Sequence, residues 1–428
     1  MASDLSEFIQ NISIHNTHEH MNKEPDFLQS KPDVLCALFD NYVPADLRTA
    51  LISEEALGAL LDKSNPDIAA RFNGAKEAWE HCRFTGYGEI QSWIAKHFFD
   101  VDELTGENLA AAQEKLPETW DKGYLYSMLK EDANFEHIQT DDFCVPCAPD
   151  LAGPDFFLYD LSWVNFCGGK FDVKQVSEAS SVEITNLDTL REAMAALFDE
   201  HAACSIAVKS QHAYGRTLEW IERDEADVAK VLDKKINGTE LTVEDELCIG
   251  DWAWARGVEL SIKHNLPFKI HTGHYAGNNS MQINRINAAH LCPLLLAYPE
   301  ARFVLMHISY PYQDELLSIA KHFPNVWVDM CWAWSINPHS SAEFLRGFIH
   351  SVPINKLFGF GGDSFHPHSS VAYGQQTRNW LTRALQQEVD EGMLTETEAI
   401  HIAQRILQDN QMDCFDLVGT RAAIREKS

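Results

Sequence analysis

No stretch of the 428 residues approaches the roughly 18 uncharged apolar residues of a membrane-spanning helix, so no bilayer partner is expected. Basic residues are scarce: 34 lysines and arginines stand against 64 aspartates and glutamates, a formal charge of −30. They form no cluster that could track a phosphate backbone, which argues against nucleic acid. A surface this negative also repels anions, so an anionic substrate would need local basic groups inside its pocket. The N-terminus, from Met1 to Glu7, has neither a basic region nor an apolar signal core, and the ten cysteines lack a disulfide-framework spacing. Both features lead to the expectation of a cytoplasmic protein with reduced thiols. The one C-x-x-C, Cys144 to Cys147, has no second pair or paired histidine to complete a zinc site and reads as two ordinary thiols. Internal repeats and low-complexity segments are also missing, and assembly into a homo-oligomer is left open.

What is present is alternation. From about residue 205, short β-type runs alternate with longer amphipathic stretches, the pattern of parallel βαβ units. The runs are Ser205 to Lys209, Pro267 to His271, Arg302 to His307, Val326 to Met330 and Lys356 to Phe360. Helical spacing falls at 242–264, 288–298, 312–322, 339–350 and 369–389. Three earlier runs, at 11–16, 136–145 and 156–163, bring the strands to eight. The fold class expected is therefore α/β, a single (β/α)8 TIM barrel over 1–428. Residues 22–134 are too long for one crossover and read as a helical insertion after the first strand, capping the catalytic mouth.

A closed parallel barrel brings the C-terminal ends of its strands into one ring, and the chemistry-bearing residues fall there. His18 and His20 follow the first run, and strand alternation puts both imidazoles on one face, with Glu19 on the other as a structural carboxylate. Lys209 ends the fourth run, His271 the fifth and His307 the sixth, while Asp363 follows the eighth. A lone histidine at a strand end is usually a satisfied polar residue; the recurrence at successive strand ends is what suggests a site. Neutral imidazoles with one carboxylate suit Zn²⁺, Mn²⁺ or Fe²⁺ and leave a position for water or substrate.

The segments Thr17 to His20, Ile270 to Gly273, Leu305 to Tyr312 and Phe360 to Asp363 resemble the amidohydrolase superfamily, and within it the amidohydrolase-2 group. Cys331-Trp-Ala-Trp334 with Asn337-Pro338, and the long insertion after the first strand, are similar to uronate isomerases of the same superfamily. The resemblance implies a divalent cofactor, zinc first, held by His18, His20, His271 and Asp363. It also implies that His307 and Asp363 are the catalytic groups, handling the protons of a water whose pKa a metal lowers from about 15.7 to near 7. In binuclear members a lysine placed like Lys209 is carboxylated and bridges two ions, with His271 and His307 serving the second. The reading favoured here has one ion and Lys209 as a plain substrate contact; two ions follow if Lys209 is carboxylated.

Further substrate contacts are expected from Arg216, with Tyr214 beside it, and from His274 and Tyr310. Trp332 and Trp334, on one face by strand alternation, are expected to form a pocket wall. His366 and His368 are set aside because Pro367 implies a loop. The glycines of Gly359 to Gly362 lack the Lys-Ser/Thr of a phosphate loop and are read as letting the strand end kink beneath Asp363. The leading function is metal-dependent hydrolysis of a C–N or C–O bond in a small polar molecule. Aldose-ketose isomerisation of a uronate and non-oxidative decarboxylation use similar sites, and a metal-free binding protein on the same scaffold is the alternative outside enzymology.

Overall fold

The computed structural model describes residues 4–21, 23–116, 121–141, 143 and 155–427, so the Cys144 to Cys147 motif lies outside the described residues. Eight strands run in chain order: β1 Ile14–Glu19, β2 Phe135–Thr140, β3 Phe157–Ser162, β4 Ser205–Ser210, β5 Phe268–His271, β6 Phe303–Met306, β7 Val326–Asp329 and β8 Leu357–Phe358. Neighbours in sequence are neighbours in the sheet, and each pair is parallel. The chain after β8 returns to β1: Thr17 N–H donates to Phe360 O at 3.1 Å, Asp363 N–H to His18 O at 3.0 Å and His20 N–H to Ser364 O at 3.0 Å. The architecture is the expected (β/α)8 barrel.

Its strands are short and buried on both faces, as in parallel sheets covered by helices. Inside the barrel the polar residues are paired. Lys269 donates to both oxygens of Asp160, at 2.8 and 3.0 Å, and to Thr17 O at 2.9 Å, with every partner fully buried. An ion pair so far from water stands because each charge has several partners. Below it a smaller apolar cluster, including Leu158, Ile206, Val304, Phe415 and Ile424, fills the N-terminal end. Phe415 and the helix Leu417–Lys427 bring the end of the chain under that floor.

Strand boundaries depart from the sequence reading at both ends of the sheet. β1 begins three residues later than expected, so His18 lies within the strand. β2 stops at Thr140 instead of 145, and β8 pairs over only two residues before the return to β1 takes its hydrogen bonds. Pro367 does not make a loop: it occupies the first turn of the helix Pro367–Asp390, where a missing N–H costs nothing. His368 is consequently helical and buried, near the rings of Phe27, Phe98 and Phe99.

Between β1 and β2 the described chain is helical, from Glu24–Ser30 to the π-turn Met128–Asp132. Arg71 ties this region together, its guanidinium bonded to Asp33 at 2.6 Å and to the carbonyls of Ala59, Asn65 and Leu60. It rests on the last barrel helix through Gln376 to Gly86 O at 2.9 Å and Asn41 to Ser369 at 3.2 Å. Tyr42 reaches further and donates to the backbone carbonyl of Asp363.

Candidate metal centre at the barrel mouth

Alternation along β1 sends His18 and His20 to one side, and they meet Asp363 there. His18 Nε2 and His20 Nε2 are 3.3 Å apart, and Asp363 Oδ1 lies 3.1 Å from the first and 3.3 Å from the second. Ligand atoms about 2.1 Å from one ion sit roughly 3.0 to 3.4 Å from each other in octahedral or tetrahedral geometry. The protons support the same reading. His20 Nδ1–H donates to Asp141 O at 2.7 Å, which leaves Nε2 a bare lone pair in the neutral ring. The two Nε2 atoms and Asp363 Oδ1 are therefore crowded together, and among the described residues the cation beside them is Lys209 Nζ, 3.3 Å from His18 Nε2. One divalent ion would satisfy all three, so the donor set fits the group the fold implies.

Burial tunes the charges. It pushes the Asp363 carboxyl up, but His18, His20 and His307 outweigh it and hold the group well below the usual carboxylate range. Burial, helped by Lys209, lowers His18; burial, His307 and Lys209 lower His271 well below an ordinary imidazole. His307 is brought down to about 4 by burial against the pull of Asp363. Its Nδ1–H donates to Cys331 O at 2.8 Å, so Nε2 is unprotonated; buried and without a hydrogen-bond partner among the described residues, it faces Asp363 Oδ2 at 3.9 Å. The Cys331 thiol completes a second group with His307 and Asp363, but burial and the nearby Asp363 raise its pKa far above neutrality and keep it protonated.

The backbone is strained where these groups sit. His307, Ile308 and Ser309 take φ of 63°, 47° and 52° in succession, and Trp332 and Asp363 are at 60° and 53°. Left-handed φ is costly for non-glycine residues and collects at sites that over-determine it. The glycines before Asp363 serve a different purpose from the expected kink. A Cβ on Gly361 would meet Cys331 Sγ at 2.7 Å, and one on Gly362 would collide with the Glu19 carboxylate. Glu19, on the far face of β1 from His18, accepts from Ser364 N–H at 2.6 Å, Asn16 Nδ2 at 2.7 Å and Ser370 Oγ. It is the prop beneath the Asp363 loop.

The other expected residues divide. His271 stands beside His307, ring centroids 4.3 Å apart, but its Nε2 meets His274 O at 3.0 Å and the residue is outside the His18, His20 and Asp363 group. His274, half-buried, lies 5.8 Å from the Trp332 ring and 6.3 Å from that of Tyr310. Tyr310 OH accepts from Asn337 Nδ2 at 3.3 Å. Trp332 closes over His307, centroids 5.6 Å apart. Trp334 does not share its face: the chain turns helical at Ala333, and the Trp334 indole donates to Gly359 O at 3.0 Å in the core. Arg216 is committed to structure, bonded to Asp251 at 2.6 Å and to the carbonyls of Cys167, Thr217 and Glu219.

Tyr42, Asp141 and Gln211 join the site without having been expected. Tyr42 comes from the insertion and Asp141 contributes a carbonyl, neither of which leaves a mark in spacing. Gln211 follows Lys209 by two residues and was legible by that alternation. A cavity of about 270 Å³ opens over the centre, lined by His20, Lys209, His271 and Asp363 among others. A larger one of about 520 Å³ lies beside it and shares Phe143, Gln211 and Tyr214; His20, Lys209, His271 and Asp363 line the smaller and not the larger.

Residues 205–397 match the amidohydrolase family model. Among characterised proteins, the chain is 32% identical over 154 residues to protein fluG of Emericella nidulans, a match spanning 36% of this chain and 18% of that protein. Among solved structures, the fold is like that of a uronate isomerase from Thermotoga maritima, with a TM-score of 0.78 at 18% identity over 96% of both chains. It is also like that of a Lactobacillus casei protein provisionally named a metal-dependent hydrolase, with a TM-score of 0.64 at 17% identity over 100% of both. From β4 to β8, then, the chain carries the amidohydrolase family pattern, on a complete barrel of the kind found in uronate isomerases.

Proposed function

We propose that this protein is a metal-dependent hydrolase cleaving a C–N or C–O bond in a small polar substrate. The convergence of His18 Nε2, His20 Nε2 and Asp363 Oδ1 within 3.1 to 3.3 Å, beside the unprotonated Nε2 of His307, carries the reading. Those three atoms would hold the ion, zinc by the nature of the donors with manganese or iron as alternatives, and when bound it would supply Lewis acidity and lower the pKa of water. His307 is neutral with its tautomer set by Cys331 O, so its lone pair can take a proton on the Asp363 Oδ2 side and return it to the leaving group. Asp363 has a second oxygen free for the same exchange. Lys209, buried beside His18, is placed to meet a substrate oxyanion or carboxylate. Trp332 and Tyr42, whose rings lie 4.7 Å apart, wall off water on the insertion side.

Isomerisation of a uronate is the second reading, favoured by fold likeness along the whole chain. The same His307 and Asp363 would then pass a proton between adjacent carbons. Metal analysis of protein purified without chelators should find about one equivalent, with activity on a panel of amides, esters and lactones. Metal far below one equivalent, with no activity restored by Zn²⁺ or Mn²⁺, overturns both readings. Clean conversion of glucuronate to its keto form, followed by NMR, overturns hydrolysis alone.

A further inference from the structure

The larger cavity beside the metal centre has walls made by Val164, Val243, Leu247 and Phe143, and it shares Gln211 with the smaller one. Its charged residues are unequal. Arg216 is consumed by Asp251 at 2.6 Å, and Lys170 leans toward Glu246 at 3.9 Å. Arg285 makes no ion pair among the described residues, in a chain with a formal charge of −30. Where acids outnumber bases almost two to one, an arginine left unpaired beside an apolar chamber is a feature to explain. Gln211 lines both chambers, and both its amide atoms are buried without a hydrogen-bond partner among the described residues. Leaving such atoms unsatisfied is costly, and a ligand that satisfied both would recover that cost.

Resting on the hydrolase reading, we propose that the substrate is bipartite. Its reacting head occupies the small cavity, an amide-type joint pairs with Gln211, and an apolar spacer in the large cavity ends in a carboxylate at Arg285. A primary carboxamide offers one donor and one acceptor edge to a peptide-like group, which is the complement Gln211 lacks in the protein. The guanidinium of Arg285 is suited to a terminal carboxylate.

Hydroxamates, whose heads chelate metals, test this by calorimetric titration of the metal-loaded full chain. Acetohydroxamate reports the head alone, octanohydroxamate adds the spacer, suberohydroxamate adds the terminal carboxylate, and N-succinylglycine hydroxamate adds the internal amide. Affinity should rise about fourfold for each methylene taken from water. Suberohydroxamate should bind about tenfold tighter than octanohydroxamate. That advantage should vanish in Arg285→Gln and partly return in Arg285→Lys, while Gln211→Leu should weaken the amide-bearing ligand several-fold relative to suberohydroxamate. Tailed hydroxamates no tighter than acetohydroxamate, or a carboxylate advantage that survives Arg285→Gln, overturns the bipartite substrate and leaves the metal centre standing. Failure of acetohydroxamate itself to bind overturns both.

Discussion

At the floor of the barrel His15, His137 and Glu136 bring their donor atoms within 4.8 Å of one another, as His18, His20 and Asp363 do at the mouth. Residue types and crowding are alike, but the hydrogens are not. Glu136 takes a hydrogen bond from His137 Nδ1 at 2.6 Å and a two-pronged one from Arg421 at 2.9 and 3.1 Å. Burial raises its pKa, but these two partners outweigh burial and hold it well below the usual range. A cation is thus already built into the floor. At the mouth His20 has spent its proton on Asp141 O and His307 has spent its own on Cys331 O, so bare nitrogens face a carboxylate. Histidines beside an acid are free to hold a metal where their ring protons are drawn to other acceptors, as those of His20 and His307 are.

The sharpest way to break this contrast is to neutralise one carboxylate at each end. Asp363→Asn should reduce bound metal from about one equivalent to less than a tenth and abolish turnover, with the fold retained by circular dichroism. Glu136→Gln should leave metal content and activity intact while lowering stability in urea by about 1 to 3 kcal/mol, because Arg421 and His137 lose their charged partner. Metal loss in Glu136→Gln, or full occupancy in Asp363→Asn, would show that the two ends had been assigned the wrong way round.

A smaller effect is expected from Glu19. Its carboxylate holds Ser364 N–H, directly after Asp363, in a space that only Gly362 leaves open. Glu19→Gln replaces an acceptor by an N–H₂ that faces donors, so the Asp363 loop must shift. Metal affinity, measured by competition with a chelator of known strength, should fall about 10- to 100-fold. Unchanged affinity would mean that Tyr42 and the return to β1 position the loop unaided.

The barrel and its mouth were legible because both rest on period and order. The runs from Ser205 onward matched strands to within a residue or two, and His18, His20, Lys209, His307 and Asp363 came together as strand-end residues must. The failures share a cause in local geometry. Trp332 and Trp334 were placed on one face by strand alternation, but β7 ends at Asp329 and a left-handed Trp332 starts a helical turn. Arg216 was expected to contact substrate from its position near Lys209, yet its partner Asp251 comes from a helix far along the chain, which spacing does not show. His271 illustrates the limit of topology, which sets a residue at the mouth without fixing which way its ring turns.

The floor also makes a test through pH. Burial and the nearby His137 hold His15 at about 3, down from 6.5, with Glu136 pulling it up and Arg421 down. His15 is therefore neutral in the folded protein but titrates near 6.5 when unfolded. A pKa depressed by folding gives stability that is complete above the unfolded value and drains away as pH falls toward the folded one. At 1.36 kcal/mol per unit the loss between pH 6.5 and 3 is at most about 5 kcal/mol, and solvent around the half-exposed Glu136 reduces it. His18 and His271 at the mouth are lowered too, so the measurement belongs in metal-free protein, where their share is common to both chains compared. Urea unfolding from pH 7 to 4 should give a shallower acid loss for His15→Leu than for the parent. Equal slopes would mean that the floor gains a proton without cost, and that its built-in cation leaves room for another.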